Sequence, residues 1–173
     1  AGTRIRRYAA PNFAKARLGD PETLPPILQD PRKLTVGPKG NLYVSDWGEA
    51  HQVRVFDSGG KPLRTIGEPG GRQFGTYDER RMHCPAGMAV DSRGRLWVAE
   101  VDYAPKRISQ WEAATGRFVR AWYGPPRYGG GGHLDPRDPT RFAYPSNLQG
   151  ILFRLDWDRG QSRPEAVYAL QPH

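Results

Sequence analysis

Apolar and polar residues alternate along short runs of the chain, and turns that contain glycine separate these runs. Clear examples are LTV and LYV on either side of PKGN, followed by VRVF and the turn SGGK. Alternation with a period of two indicates strands that bury one face, and glycine turns between them indicate hairpins. The pattern predicts an all-β fold, with one short helix expected around 12–18.

The alternating pattern is repeated along the chain. Residues 34–46, LTVGPKGNLYVSD, recur as residues 88–100, MAVDSRGRLWVAE. The equivalent pairs are Val36 and Val90, Gly40 and Gly94, Leu42 and Leu96, Val44 and Val98, and Asp46 and Glu100. A second match relates 52–67 to 106–124, so each unit contains four short strands. A repeated unit of four antiparallel strands is the blade of a β-propeller.

The repeats predict a partial propeller with about two complete blades and a partial blade at each end. The predicted units are the last strand of a preceding blade at 1–8, blades at 34–66 and 87–122, the start of a further blade at 148–170, and long interblade loops at 9–33, 67–86 and 124–147. Closed propellers have about four to eight blades. The chain is therefore expected to be a sector of a longer polypeptide, whose remaining blades would be its partners.

The order of the strands predicts where a binding site would lie. In an up-and-down blade, the connections from strand two to three and from one blade to the next emerge at the same end, and all the long connections fall there. Long loops without secondary structure are usually functional or disordered. We call this end the long-loop face. Its candidate ligand-binding residues are Asp46, Trp47, His51, Arg80, Arg81, His83, Glu100, Asp102 and Tyr103.

The chemistry of these candidates has more than one interpretation. Asp46 and Glu100 occupy equivalent positions and would be the metal ligands if a calcium ion bound there; hydrogen bonds from backbone amides are the favoured alternative. His51 and His83 are expected to be ordinary loop histidines. Cys84 excludes an internal disulfide because it is the only cysteine. It is not expected to act with His83, because adjacent residues of an extended chain point to opposite sides.

Charge and aromatic content change this view little. The net charge of +8 is compatible with nucleic acid, but the arginines are scattered over strand positions, which favours solvation of blade surfaces. No apolar run approaches the ~20 residues of a membrane span.

The strand aromatics are expected to pack between blades, whereas Trp47 and Tyr103 could stack on a sugar or base. These strand aromatics are Tyr43, Phe56, Trp97, Trp111, Phe118 and Trp122.

The stretch PAGMAVDSRGRLWVAE at 85–100 resembles the NHL repeat, and the first unit keeps Pro31 and Asp46 of that pattern. The resemblance covers roughly 28–124 and implies an NHL-type β-propeller, with a six-bladed parent. The chain also resembles large exported bacterial proteins of planctomycete-like type. The resemblance does not determine the function, because NHL-type propellers include protein-binding scaffolds, RNA binders, lyases and lactonase-like hydrolases. The expected function is a non-catalytic module that binds a protein, peptide or glycan without a cofactor, because this function requires the least of the sequence. Two alternatives stay open: a calcium-assisted lactonase-like hydrolase or lyase, and a module that binds single-stranded RNA.

Overall fold

The computed structural model describes residues 27–101, 105–126, 131–146 and 149–169, together with the backbone of Arg6–Arg7 and Glu22–Thr23. The described elements are all strands: β1 (Arg6–Arg7), β2 (Glu22–Thr23), β3 (Pro31–Val36), β4 (Leu42–Asp46), β5 (Gln52–Phe56), β6 (Pro62–Ile66), β7 (Gly75–Thr76), β8 (Pro85–Val90), β9 (Arg95–Glu100), β10 (Arg107–Glu112), β11 (Phe118–Tyr123), β12 (His133–Asp135), β13 (Asp138–Pro145), β14 (Gln149–Asp156) and β15 (Gln161–Ala169). Over the described ranges, no helix has the length and apolarity to cross a membrane. The helix expected around 12–18 lies outside them.

Two four-stranded antiparallel sheets correspond to the two repeats. The first sheet has the order β3-β4-β5-β6 and the second the order β11-β10-β9-β8. Both carry a register shift at the same place, after Pro31 in β3 and after Pro85 in β8. The proline begins the strand opposite Asp46 in the first sheet and opposite Glu100 in the second. The sequence repeat is thus a structural repeat, and the sheets resemble propeller blades.

The third sheet is larger than the sequence indicates. It has five strands in the order β12-β13-β14-β15-β7. The strands β12 and β13 lie within 124–147, where a loop is predicted, because Asp135 and Asp138 close a hairpin rather than two separate turns. The short strand β7, from the predicted loop 67–86, pairs with β15. The long connections therefore contain part of a sheet.

The region predicted as the last strand of a preceding blade is described only at Arg6–Arg7. This pair forms β1 and runs antiparallel to β2, with Arg6 opposite Thr23 and Arg7 opposite Glu22. The remainder of 1–8 lies outside the described residues.

The largest apolar core lies between the first and second sheets. Tyr43, Val53 and Val55 of the first sheet share it with Leu96, Val98 and Trp111 of the second. All six side chains are buried. A separate cluster around Ile151 and Phe153 packs the third sheet against Tyr77 and Tyr123. The first two sheets therefore stack face to face, as neighbouring blades do.

Trp97 and Trp122, expected to pack between blades, are not covered by another sheet among the described residues. Their rings stack on each other, with centroids 5.3 Å apart, on the face of the second sheet that points away from the first. Trp122 is 43% exposed. The reason is the position of the third sheet, which contacts the second sheet at β11 and does not cover this face. Tyr43, the counterpart of Trp97 in the first repeat, is buried because a sheet lies against it.

Candidate functional site

A buried cluster of charges lies beneath the long-loop face, centred on Glu100 at the end of β9. The carboxylate accepts hydrogen bonds from Nη2 of Arg72, from Nε of Arg107 at 2.5 Å and from the backbone N–H of His83 at 2.8 Å. The side chains of Glu100 and Arg107 are 2% and 0% exposed. One carboxylate thus holds two guanidinium groups, and the three charges depend on each other for compensation.

The same cluster fixes the connection 67–84. Nη1 of Arg107 donates to the carbonyl of Glu79 at 2.9 Å and lies 3.3 Å from the hydroxyl of Tyr77. The guanidinium of Arg72 lies 5.4 Å from the centre of the Tyr77 ring. Burial lowers the pKa of Arg107, but the negative charge of Glu100 raises it and the net shift is upward. Arg107 is therefore a permanent cation that attaches this connection to the second sheet.

Asp46 occupies the equivalent position in the first sheet and is also buried. It accepts hydrogen bonds from the backbone N–H of Gln29 at 3.0 Å and of Asp30 at 2.7 Å, and Nε of Arg54 lies 3.6 Å away. Calcium takes six to eight oxygen ligands, whereas N–H donors surround both Asp46 and Glu100. These two carboxylates do not fit a calcium ion.

Two histidines and the cysteine come together beside the charge cluster. The rings of His51 and His83 are stacked, with centroids 5.0 Å apart. One ligand atom each from His51, His83 and Cys84 lies within 4.8 Å of the other two. The backbone N–H of Cys84 donates to Nδ1 of His51 at 3.1 Å. The expectation that Cys84 points away from His83 is wrong, because Cys84 has a φ of 46° and the chain is not extended there.

The electrostatics of this cluster keep all three side chains uncharged near neutral pH. Burial lowers the pKa of His83 to about 4, with further lowering from the positive charge of Arg72. Burial also lowers the pKa of His51. The pKa of the Cys84 thiol is raised, again chiefly by burial. The histidines are thus neutral imidazoles, and the thiol on its own is not an activated nucleophile.

Gly71 makes room for the ring of His51. A Cβ atom at this position would lie 2.7 Å from Cδ2 of His51, and the residue has a φ of +65°. We expect Gly71→Ala to destabilise the protein by about 2–3 kcal/mol, from backbone strain and from displacement of the ring. Urea denaturation followed by tryptophan fluorescence measures the change.

Gly94→Ala is the matched control, because it measures the cost of backbone strain without displacement of a neighbouring ring. Gly94 has a similar φ of +73°, but a Cβ atom added there would meet no other atom within 4 Å. Gly94→Ala should lower the free energy of unfolding by about 1–2 kcal/mol, from backbone strain alone. Equal losses in the two variants would show that the His51 ring does not rest on Gly71.

The remaining predicted residues have mostly structural contacts. Nε1 of Trp47 donates to the carbonyl of Pro85 at 2.7 Å, which joins the first sheet to the second. Arg80 pairs with Asp78 at 3.1 Å, and Nη1 of Arg81 donates to the carbonyl of Pro69. Asp102 and Tyr103 lie outside the described residues.

Phe74 is a surface residue that the sequence interpretation missed. It lies in the connection 67–84, immediately before β7, and its side chain is 64% exposed. Its neighbours Arg72 and Tyr77 are buried in the charge cluster. No local sequence signal distinguishes Phe74 from a core aromatic, since its exposure depends on how its neighbours are held.

The first sheet contains a segment that matches a known protein family. Residues 28–56, which include β3, β4 and β5, match the family model for the NHL repeat. This segment is therefore similar to an NHL repeat. The second sheet, with the same strand order and the same register shift, has the architecture of a second such unit.

Among solved structures, the chain is similar to the β-propeller domain of Cps50 (Swd1) from Myceliophteria thermophila. The TM-score is 0.41 and the sequence identity 14%, and the match covers 82% of this chain and 39% of that one. The chain thus spans about two fifths of the length of that chain. No curated protein sequence matches it.

Proposed function

We propose that the chain is a non-catalytic propeller module that binds a protein, peptide or glycan through the long-loop face, with Phe74 as an anchor. The observation that carries the proposal is the exposure of Phe74 on a connection that is held on both sides by buried side chains, Arg72 in its ion pair with Glu100 and Tyr77 in the apolar cluster of the third sheet. Binding energy in protein interfaces is concentrated in a few aromatic and arginine side chains. A connection that is already ordered loses less conformational entropy when it binds.

Charged residues on the same connection as Phe74 favour a polar rim for this anchor. The side chain of Arg80 is 63% exposed and pairs with Asp78 and Glu68. A groove of about 930 Å³ runs from these residues along the second sheet toward the turn that contains Arg117, at the end of that sheet opposite the long-loop face. An apolar centre with a charged rim is typical of protein and peptide interfaces. We infer that peptide side chains would enter this groove while Phe74 contacts the backbone or an apolar group.

The contacts of the described residues favour binding over the two alternatives. A calcium-assisted hydrolase would need Asp46 or Glu100 as a ligand, but N–H donors occupy both. RNA binding would need unpaired arginines on one surface. On the third sheet, Arg141 and Arg154 share Asp138 and Glu165, which neutralises their positive charge there.

We also propose that the two blade-like sheets belong to a six-bladed propeller. The open face around Trp97 and Trp122 supports a further blade, since the equivalent face of the first sheet is covered by its neighbour; the number six rests on the resemblance to NHL-type propellers. A further blade packed there would bury both tryptophans and complete the stacking of sheets.

Selection against a displayed random-peptide library and a glycan array tests the binding function. We expect enriched peptides or glycans whose affinity falls by roughly 10–100-fold in Phe74→Ser, as for an interface hot spot. Arg80→Glu should also weaken binding, by a smaller factor, because it changes only the rim. Titration calorimetry with the enriched peptide or glycan measures both changes.

Trp157→Ala is the matched control. Trp157 is also an exposed aromatic, at 62%, but it lies in the turn between β14 and β15, and its substitution should leave affinity unchanged. Failure to enrich any ligand, or equal affinities for Phe74→Ser and the original protein, would contradict the proposal. Single-stranded RNA retained with a steep salt dependence would favour the RNA alternative.

A further inference from the structure

We propose that His51, His83 and Cys84 form a binding site for a thiophilic transition-metal ion, zinc or copper. The site is independent of the proposed binding function, because none of its ligands belongs to the surface around Phe74. It is also distinct from the two carboxylates Asp46 and Glu100, which do not fit a calcium ion. The proposal rests on the position of three ligand atoms, on the backbone conformation and on the contacts that hold the site.

The ligand atoms are close to the positions that a metal ion requires. They lie within 4.8 Å of one another, so an ion at the centre of the three atoms would be no more than about 2.8 Å from each. Zinc bonds to nitrogen and sulfur are ~2.0–2.3 Å long, so each ligand would have to move inward by at most about 0.5–0.8 Å. Small side-chain rotations achieve this movement, since all three residues are only partly buried.

Backbone strain is concentrated at the same residues. Among the described residues other than glycine, His51 and Cys84 alone have positive φ, at 50° and 46°. Residues other than glycine rarely adopt a positive φ. Such backbone strain is found most often at functional sites, where the surrounding structure maintains it. Here the strained conformation of Cys84 brings the thiol to the same side as the His83 ring.

Hydrogen bonds from three parts of the chain hold the site in place. The backbone N–H of His83 donates to the buried Glu100 carboxylate, the carbonyl of Cys84 accepts from Val101 at 3.0 Å, and the N–H of His51 donates to Trp47 at 2.9 Å. Outer contacts of this kind orient metal ligands. If His51 binds the metal through Nδ1, that nitrogen gives up its hydrogen bond from Cys84. Metal binding through Nδ1 therefore releases the Cys84 amide.

The types of ligand determine which ions the site would take. A thiolate with two imidazoles suits zinc and copper, whereas calcium and magnesium require oxygen ligands. Binding converts the Cys84 thiol to a thiolate and releases one proton to solvent. Three protein ligands leave a fourth position on a zinc ion for water.

Metal titration of the full chain tests the proposal. The protein is first treated with a chelator and kept with a non-thiol reductant, so that Cys84 stays reduced. Zinc and cuprous ions are then titrated separately in competition with chromophoric chelators, which distinguishes the two metals. We expect one equivalent of at least one of them to bind, and no uptake of calcium. Cobalt bound at the same site should show a thiolate charge-transfer band.

Variants test each ligand while conserving the local structure. Cys84→Ser should abolish the charge-transfer band and weaken binding by about tenfold or more, the loss that follows even from removal of an outer contact. His51→Asn keeps a hydrogen-bond acceptor and tolerates positive φ; it and His83→Gln should weaken binding similarly. His133→Ala, in the exposed strand β12, is the control and should bind as the original protein does.

The proposal fails if neither zinc nor cuprous ion binds with a defined stoichiometry. It also fails if Cys84→Ser binds as tightly as the original protein, because the ion would then be held by other residues. Circular dichroism and the denaturation midpoint show whether each variant is folded. A folded Cys84→Ser variant that retains the cobalt charge-transfer band would exclude a thiolate ligand.

Discussion

Glu100→Ala is expected to destabilise the protein by about 3–5 kcal/mol, because it leaves two buried guanidinium groups without their anion. The carboxylate holds Arg72 and Arg107, whose side chains are 6% and 0% exposed. Neither arginine can lose its charge, and neither can reach water without moving the connection 67–84. Guanidinium chloride denaturation should show a large decrease in the midpoint, and limited proteolysis should show early cleavage between 67 and 84.

Glu68→Ala provides the control for this prediction. Glu68 lies 3.8 Å from Arg80, but its side chain is 48% exposed, and exposed ion pairs contribute little to stability. We expect the denaturation midpoint of Glu68→Ala to match that of the original protein. A double variant, Glu100→Ala with Arg72→Met, should recover part of the loss because it removes one uncompensated charge. Similar midpoints for Glu100→Ala and Glu68→Ala would show that the charge cluster does not hold the connection.

The fold class could be predicted because its signal is local. Alternation within each strand and the glycine turns between strands repeat along the chain, so the two blade-like sheets follow from the sequence. The third sheet could not be predicted in this way. The strand β7 consists of only Gly75 and Thr76, and it exists because β15 pairs with it across the fold. The hairpin around Asp135 and Asp138 could not be predicted either, because its sequence contains proline turns and lacks the alternation of apolar and polar residues that indicates a strand.

The candidate site could be predicted only in part, for two physical reasons. The equivalence of Glu100 to Asp46 predicts Glu100 as a site residue, but the sequence does not predict its ion pairs with Arg72 and Arg107, because a buried ion pair depends on long-range packing. The expectation that Cys84 points away from His83 assumes an extended chain, in which successive side chains alternate. That argument holds only where φ is negative, and the sequence carries no signal for the left-handed conformation of a cysteine.

Trp111→Ala should destabilise the protein by about 3–5 kcal/mol, the usual cost of removing a buried aromatic side chain. Trp111 is 1% exposed and lies in the core between the first and second sheets. Its indole N–H donates to the buried hydroxyl of Ser109 at 2.8 Å, and its ring lies 5.2 Å from that of Phe118. Thermal and urea denaturation monitored by far-ultraviolet circular dichroism measure the loss without depending on tryptophan fluorescence.

Two further variants distinguish the contribution of Trp111 packing to stability from that of its hydrogen bond and from that of an exposed aromatic side chain. Trp111→Phe retains a ring and should cost about 1–2 kcal/mol, from the smaller volume and the lost donor to Ser109. Trp157→Ala removes a tryptophan that is largely exposed and should cost about 1 kcal/mol or less. If Trp111→Ala costs no more than Trp157→Ala, then the first two sheets do not share a core. The stacking of sheets as neighbouring blades depends on that shared core, since Trp111 of the second sheet packs in the same cluster as Tyr43 and Val53 of the first.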